Sequence, residues 1–434
     1  MLSSAKAMVP KPILVRLSRL KGKYSRFRKL SDFRAAKSAI KHRKVRSPAQ
    51  RLLVYPGDPW TLTGSLGDDA MMTAALAYLG SQHRDLEVHI LCMENLAGQL
   101  AREKGFVPVP LPPNTSFASD MRRIFENGGY DMLLLVGADI MDGYYSPEPA
   151  ENMLMAADLA ARAGIATNFL GFSFNNMPEP ELKHLYDTLH PGVTLNVRDE
   201  VSLKRFNTFT SATKRLVADT AFLLKPATVG QRARSWIVQQ KSLERMVIGF
   251  NVHPMLIKDA GPDEIQRIIN KSIHAIEVAS KKHDVSWVLI PHDYRDIVGD
   301  DVCLKPIYEQ LKVHTNIDVM HFGGTHRAAT LKALAGHMDG VVTGRMHLAI
   351  ASLGMGIPTL CITYQDKFEG LYRHFGLPKE FLLAPRRLMA DQAALDDDLD
   401  DFITSLPQLK AQITQRLPEV HRLAELNFAF ATAG

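Results

Sequence analysis

The sequence predicts an α/β fold: two Rossmann-like domains, each a parallel sheet covered by helices, facing each other across a cleft. Three observations predict it. Short continuous apolar runs alternate with longer amphipathic stretches, as expected of parallel strands buried on both faces. The alternation lapses between residues 226 and 245 and then restarts. The chain's 434 residues exceed one ordinary core and suit two of middling size.

In the first half, "LLVY" from Leu52 reads as a buried strand, "GDPWTLTGSLGDD" as the loop after it, and "AMMTAALAYLG" as a helix ended by Gly80. "LEVHILCM", "YDMLLLVGAD", "ATNFLGFSF" and "VTLNVRD" are further strands. The helices "NLAGQLAREKG", "AENMLMAADLAARAG", "EPELKHLYDTLH" and "EVSLKRFN" alternate with them, and "KRLVADTAFLL" closes this half. The second half repeats the scheme. Its strands are "MVIGFNVHP", "VSWVLIPHDYR", "IDVMHFGG", "DGVVTGR" and "PTLCITY". The long helix between the first two places Pro262 near its first turn, where the missing N–H costs little. The expected organisation is a basic extension at 1–51, a first domain at 52–225, a linker at 226–245, a second domain at 246–405 and a C-terminal helix at 406–434.

Composition bounds the function. Apolar residues make up 46% and charged residues 23%, ordinary for a water-soluble protein. No apolar run suits a membrane-spanning helix, and the first 30 residues lack the pattern of a secretory signal. Cys92, Cys303 and Cys361 are far apart, show no zinc spacing and suit no disulfide framework, so a cytoplasmic location is expected. The net charge of +6 is unevenly distributed: residues 1–51 hold 16 Lys and Arg against Asp32 alone, and the remainder holds 36 basic and 45 acidic residues. The basic segment also carries Ile13, Leu14, Leu17, Leu20, Phe27, Leu30 and Phe33. It reads either as a solvated extension or as an amphipathic helix for an anionic membrane surface. Nucleic acid is not expected as a partner, because no base-reading module accompanies it.

In doubly wound sheets, ligands bind beyond the carboxyl ends of strands, so the residues after each strand carry the functional reading. "TGRMHLAI" places Gly344, Arg345 and His347 between a strand and a helix. Arg345 can hold a carboxylate or phosphate through two parallel hydrogen bonds, and His347 can move a proton near neutral pH. A helix N-terminus there adds positive potential. Arg198 and Asp199 follow another strand, as an anion clamp or an ion pair at a helix start. His292 and, more weakly, His253 end strands of the second half. Asp68 and Asp69 enter a helix after the glycines Gly64 and Gly67. One carboxylate is explained by capping, which leaves the other to act on a hydroxyl. No cluster of metal ligands is evident.

At these residues the sequence resembles the polysaccharide pyruvyl transferase family. The stretch "GRMHLAIASLGMGIPTLCITYQDKFEGLYRHFGL" is similar to its C-terminal motif, with Arg345, His347, Gly356, Pro358, Tyr364, Lys367 and Gly370 in the matching places. "GSLGDDAM", "NVRDEVSLKRF" and "VADTAFLL" resemble further family segments in the same order. The family's glycine run after the third strand is replaced by "VGADIMDGYY", Asp69 stands where Glu is common, and Thr220 where Pro is common. The resemblance implies a fold like the B-type glycosyltransferases, with the first domain on the acceptor side and the second on the donor side. It implies transfer of a pyruvyl group from phosphoenolpyruvate, a co-substrate with no further cofactor, to two hydroxyls of a saccharide in a cell-surface or exopolysaccharide precursor, and a lipid-linked precursor is the expected form. His347, Arg345 and Asp69 are then the expected catalytic residues. Arg198, Arg345, His292, Lys367 and Gly344 are expected at the donor, and Gly64, Gly67 and Asp68 on the acceptor side. Two other readings compete. One is a glycosyltransferase with a nucleotide-sugar donor, for which Glu369 would grip a ribose. The other is a binding protein that keeps the fold without the chemistry.

Overall fold

The computed structural model describes residues 26–46, 49–62, 66–93, 96–314, 316–363, 367–391 and 393–430. The first sheet contains β1 (Arg51–Tyr55), β2 (Glu87–Cys92), β3 (Val107–Pro110), β4 (Met132–Leu135), β5 (Ala166–Phe172), β6 (Val193–Val197) and β7 (Lys214–Leu216), in the order β3-β2-β1-β4-β5-β6-β7. The second contains β8 (Met246–Asn251), β9 (Val285–Leu289), β10 (Val319–His321), β11 (Gly340–Thr343), β12 (Thr359–Ile362) and β13 (Leu382–Leu383), in the order β10-β9-β8-β11-β12-β13. Every pairing is parallel. The chain reverses its winding between β1 and β4 and again between β8 and β11, which opens a crevice at each reversal. The apolar continuity of the strands follows from burial: β4, β9, β11 and β12 are buried at every residue.

β3 escapes the apolar-run rule because its sequence is VPVP. It lies at the sheet edge, where Pro108 and Pro110 need not donate to a further strand. β13 has only two residues, too few to show a pattern.

The basic extension is not wholly solvated. Residues 26–39 are helical and lie against the first domain, with Phe33 and Ala36 in its core. The buried Glu151 accepts from Arg26 Nε at 2.9 Å and Lys29 Nζ at 3.2 Å. Asp32 accepts from the backbone N–H groups of Ala118 and Ser119 at 3.0 and 3.2 Å, which caps the helix Phe117–Asn127 from outside. Phe33 and Leu30 are thus spent on the protein, whereas Phe27 is exposed, and Ile13, Leu14, Leu17 and Leu20 lie outside the described residues. Among the described residues no helix is long and apolar enough to cross a membrane.

The expected linker contains a helix, Gln231–Ser242, whose Ala233 and Ile237 enter the core of the second domain with Val247 and Val288. The C-terminal helix starts before position 406: it runs from Ala394 to Glu425 and contains Pro407 and Pro418. It packs on the helix Pro262–Lys282 and then carries the chain back to the first domain. There Phe428 stacks on Tyr78 with ring centroids 4.4 Å apart. Buried Asn427 accepts from the Gly171 N–H at 2.7 Å and donates to the Ala218 carbonyl at 2.9 Å. Asn427→Ala leaves both backbone groups buried without that partner and is expected to lower stability by about 2–4 kcal/mol. Urea denaturation of the two proteins checks this, and an unchanged midpoint would show that the returning turn does not fasten the domains.

Candidate active site

The crevices of the two sheets face one another across a cleft of about 450 Å³. Gly57 after β1, Ala138 and Asp139 after β4, and Arg198 after β6 line it from the first domain. His292 after β9, and Arg345, Met346 and His347 after β11, line it from the second. The loop after β1 leads into the helix Leu66–Gln82, whose Gly67 and Asp68 form part of the wall.

His347 lies on the first turn of the helix Met346–Leu353. Its ring is pressed against Gly67: a Cβ at that glycine would lie 2.2 Å from the imidazole Nδ1. Gly67 therefore belongs to the seat of the imidazole. Nε2 faces the Asp219 carboxylate at 3.7 Å. Burial pushes the Asp219 carboxyl up, but His347 and Arg198 outweigh it and hold it below the usual carboxylate range. Asp219 also accepts from Arg198 Nη1 at 3.2 Å and from the Ala221 N–H at 2.9 Å, starting the turn Thr220–Leu223. Lys332 of the second domain donates to the carbonyls of Ala221 and Phe222 at 3.2 and 2.8 Å and grips the same turn from behind.

Arg198 lines the cleft as expected, but its guanidinium is engaged: besides Asp219, it donates to Ser173 Oγ at 3.0 Å. Arg345 donates from Nε and Nη2 to the fully buried Asp300 at 2.9 and 2.6 Å, and its Nη2 lies 3.3 Å from Asp293. Lys367 reaches across from the second domain to pair with Asp139. Burial, with the charges of His347 and Arg345, pushes the His292 imidazole down to about 3, so it stands in the wall as a neutral hydrogen-bonding group.

Three expectations need correction. Asp69 does not face the cleft. Successive residues on a helix point about 100° apart, and the turn that aims Asp68 inward sends Asp69 to Lys104 at 3.0 Å. Gly344 does not line the cleft either. It makes room for buried His253, whose Nε2 lies 3.1 Å from the Gly344 carbonyl, and a Cβ there would come within 2.9 Å of that nitrogen. Glu369 pairs with Arg373 and Lys379 at 2.7 and 2.8 Å on the outside of its helix, away from the cleft. Gly64 and Tyr364 lie outside the described residues. Asp139, Asp219, Asp293 and Asp300 were not singled out from the sequence. Asp219 was legible only as part of "VADTAFLL", and Asp139 only as part of the loop that departs from the family pattern. Among the described residues no group of three or more His, Cys, Asp or Glu side chains is placed to hold a metal ion.

Asp68 has the electrostatics of a proton carrier. Burial pushes its carboxyl up to about 7, reinforced by Asp139, Asp58 and Asp219 and opposed by His347. A carboxyl raised in the folded state stays protonated while its unfolded counterpart ionises. Stability therefore falls as pH rises from about 4 to about 7, and this contribution is constant above that. Asp68→Asn removes this contribution. The urea midpoint of the variant relative to the original protein is expected to rise between pH 5 and pH 8, and a pH-independent difference would rule out the raised carboxyl.

The family model for polysaccharide pyruvyl transferase matches residues 66–366. No curated protein is found to match the chain. Among solved structures, the chain is similar to a Listeria monocytogenes protein assigned as a UDP-N-acetylglucosamine 2-epimerase, with 12% identity over 86% of this chain and 91% of that one and a TM-score of 0.54. It is similar to S. aureus MnaA, solved with UDP, with 10% identity over 87% and 94% and a TM-score of 0.52. A glycosyltransferase from Rickettsia africae is similar at 10% identity over 88% and 99%, with a TM-score of 0.51. At these identities the likeness is one of fold, the two Rossmann-like domains of the B-type glycosyltransferases. The family match covers most of the chain and takes in Gly67, Asp68, Arg198, His292, Arg345 and His347: the chain belongs to the polysaccharide pyruvyl transferase family.

Proposed function

We propose that the protein transfers a pyruvyl group from phosphoenolpyruvate to two hydroxyls of one sugar in a saccharide acceptor, forming a cyclic ketal. The observation that carries this reading is the position of the Arg345-x-His347 stretch. It stands at the cleft with His347 seated on Gly67, and Asp68 in the same wall. The chemistry needs a proton at the donor methylene, which leaves an oxocarbenium-like carbon for the first hydroxyl to attack. Phosphate then departs, and the second hydroxyl closes the ring. The methylene gains one proton, the two hydroxyls lose two, and the departing phosphate takes the balance. His347, backed by Asp219, is the acid toward the methylene. Asp68, poised near neutrality, receives a hydroxyl proton, which suits a group that must both accept and release one.

Arg345, Lys367 and neutral His292 surround the space for the donor's phosphate and carboxylate, where preorganised donors stabilise the developing charge. The reaction as written calls for no further cofactor. The nucleotide-sugar reading loses the carboxylate assigned to it, because Glu369 is bound up outside the cleft. Residues 1–25 hold six Lys and Arg and no acid, a composition that suits the anionic inner surface of the cell membrane and hence a lipid-linked precursor. Unchanged liposome binding after deletion of residues 1–25 would remove that part of the reading.

Phosphoenolpyruvate is expected to raise the melting temperature of the full-length protein, and Arg345→Ala to abolish the rise. A ligand at about 100 times its dissociation constant adds about 2.7 kcal/mol, a readily measured shift. A response to UDP- or GDP-sugars with none to phosphoenolpyruvate would replace pyruvyl transfer with glycosyl transfer.

A further inference from the structure

A second cavity of about 170 Å³ opens beside the cleft, and Lys367 lines both. Its mouth carries Tyr144 and Met177, 38% and 65% exposed. Asn175, Asn176 and Arg205 complete its polar lining. Tyr145 meets the Tyr144 ring edge-on, with centroids 5.4 Å apart.

The cavity is fastened from beneath. Buried Asp142 accepts from the Tyr144 N–H at 2.9 Å through one oxygen and from the Asn175 N–H at 2.8 Å through the other, which fixes the two loops relative to each other. Its floor is tied to the reaction site. Ser173 holds Arg198, and Ser202 donates to Asp199 at 2.8 Å and accepts from the Phe174 N–H at 3.0 Å.

An exposed aromatic ring beside two amides and a guanidinium matches the chemistry of a neutral sugar: C–H faces for the ring, hydroxyls for the polar groups. We infer that this cavity is a saccharide subsite, holding the sugar unit next to the one that reacts in the cleft. Resting on the pyruvyl-transfer reading of that cleft, it makes the acceptor an oligosaccharide recognised through two adjoining units. The cavity on the other side of the cleft is lined by Asp69, Lys104, Asp293, Arg295 and Arg327, largely committed to ion pairs, and suits a neutral sugar less well.

The test is binding of the labelled full-length protein to a printed oligosaccharide array, with the phosphoenolpyruvate melting shift measured in parallel. Oligosaccharide binding is expected for the original protein. Tyr144→Ala and Asn176→Ala should each weaken it about tenfold or more, while Tyr144→Phe, which keeps the ring, should retain it. Both positions are at the surface, so the melting temperature should hold. A silent array, or binding insensitive to Tyr144, with the phosphoenolpyruvate shift present, overturns the subsite alone. Loss of binding on Arg327→Ala but not on Tyr144→Ala also overturns it and moves the saccharide to the other mouth. Tyr144-dependent binding without a phosphoenolpyruvate shift supports the subsite and overturns pyruvyl transfer.

Discussion

One buried carboxylate, Asp219, holds the site together. Only 3% of its side chain is exposed, so its charge must be answered locally, and a guanidinium and a backbone N–H do so. The same carboxylate faces Nε2 of His347, on the other domain. Behind it, Lys332 reaches from the second domain into the first to hold the turn that Asp219 begins. The orientation of the imidazole, the placement of Arg198 and the approach of the two domains therefore form one electrostatic arrangement. Removing one member of such a buried set leaves the others uncompensated, at a cost of several kcal/mol.

That arrangement requires close contact between the domains, and glycines permit it. Gly67 lets His347 approach the helix Leu66–Gln82, and Gly370 lets the helix Lys367–Phe375 approach Asp199, where a Cβ would fall 2.2 Å from the carboxylate oxygen. Lys367, Gly370 and His374 lie at i, i+3 and i+7, one stripe of that helix. All three meet the first domain, at Asp139, Asp199 and the Arg198 carbonyl. The helix is a latch, with its spacing written in the sequence.

The sequence made the strands legible because burial on both faces leaves no polar alternation to obscure them. It made Arg345, His347 and Asp68 legible because the ends of parallel strands are where a doubly wound sheet presents its chemistry. What it hid were relations between distant positions. Asp219 acquires its role from residues 21 and 128 positions away. Asp68 and Asp69 are chemically alike, and only the rotation of their helix separates a cleft residue from one paired to Lys104. Gly344 sits beside the most informative arginine yet serves packing. The helix Gln231–Ser242 escaped notice because its few buried positions stand among charged and amide side chains.

The cations of the cleft are already answered by carboxylates: Lys367 by Asp139, Arg345 by Asp300 and Asp293, Arg295 by Asp293, and Arg198 by Asp219. An anion entering here does not meet bare positive charge. What it gains by attraction it must first take from a resident carboxylate, so affinity depends on how well it replaces that partner. The exchange is least costly where the resident acid retains access to water. Asp300 is fully buried and also accepts from Asn251 and the His292 N–H, whereas the Asp139 side chain is 35% exposed. Lys367 is thus the cation most readily transferred to a ligand. The departure of "VGAD" from the family's glycine run has a physical consequence: it supplies the carboxylate that holds Lys367 across the cleft.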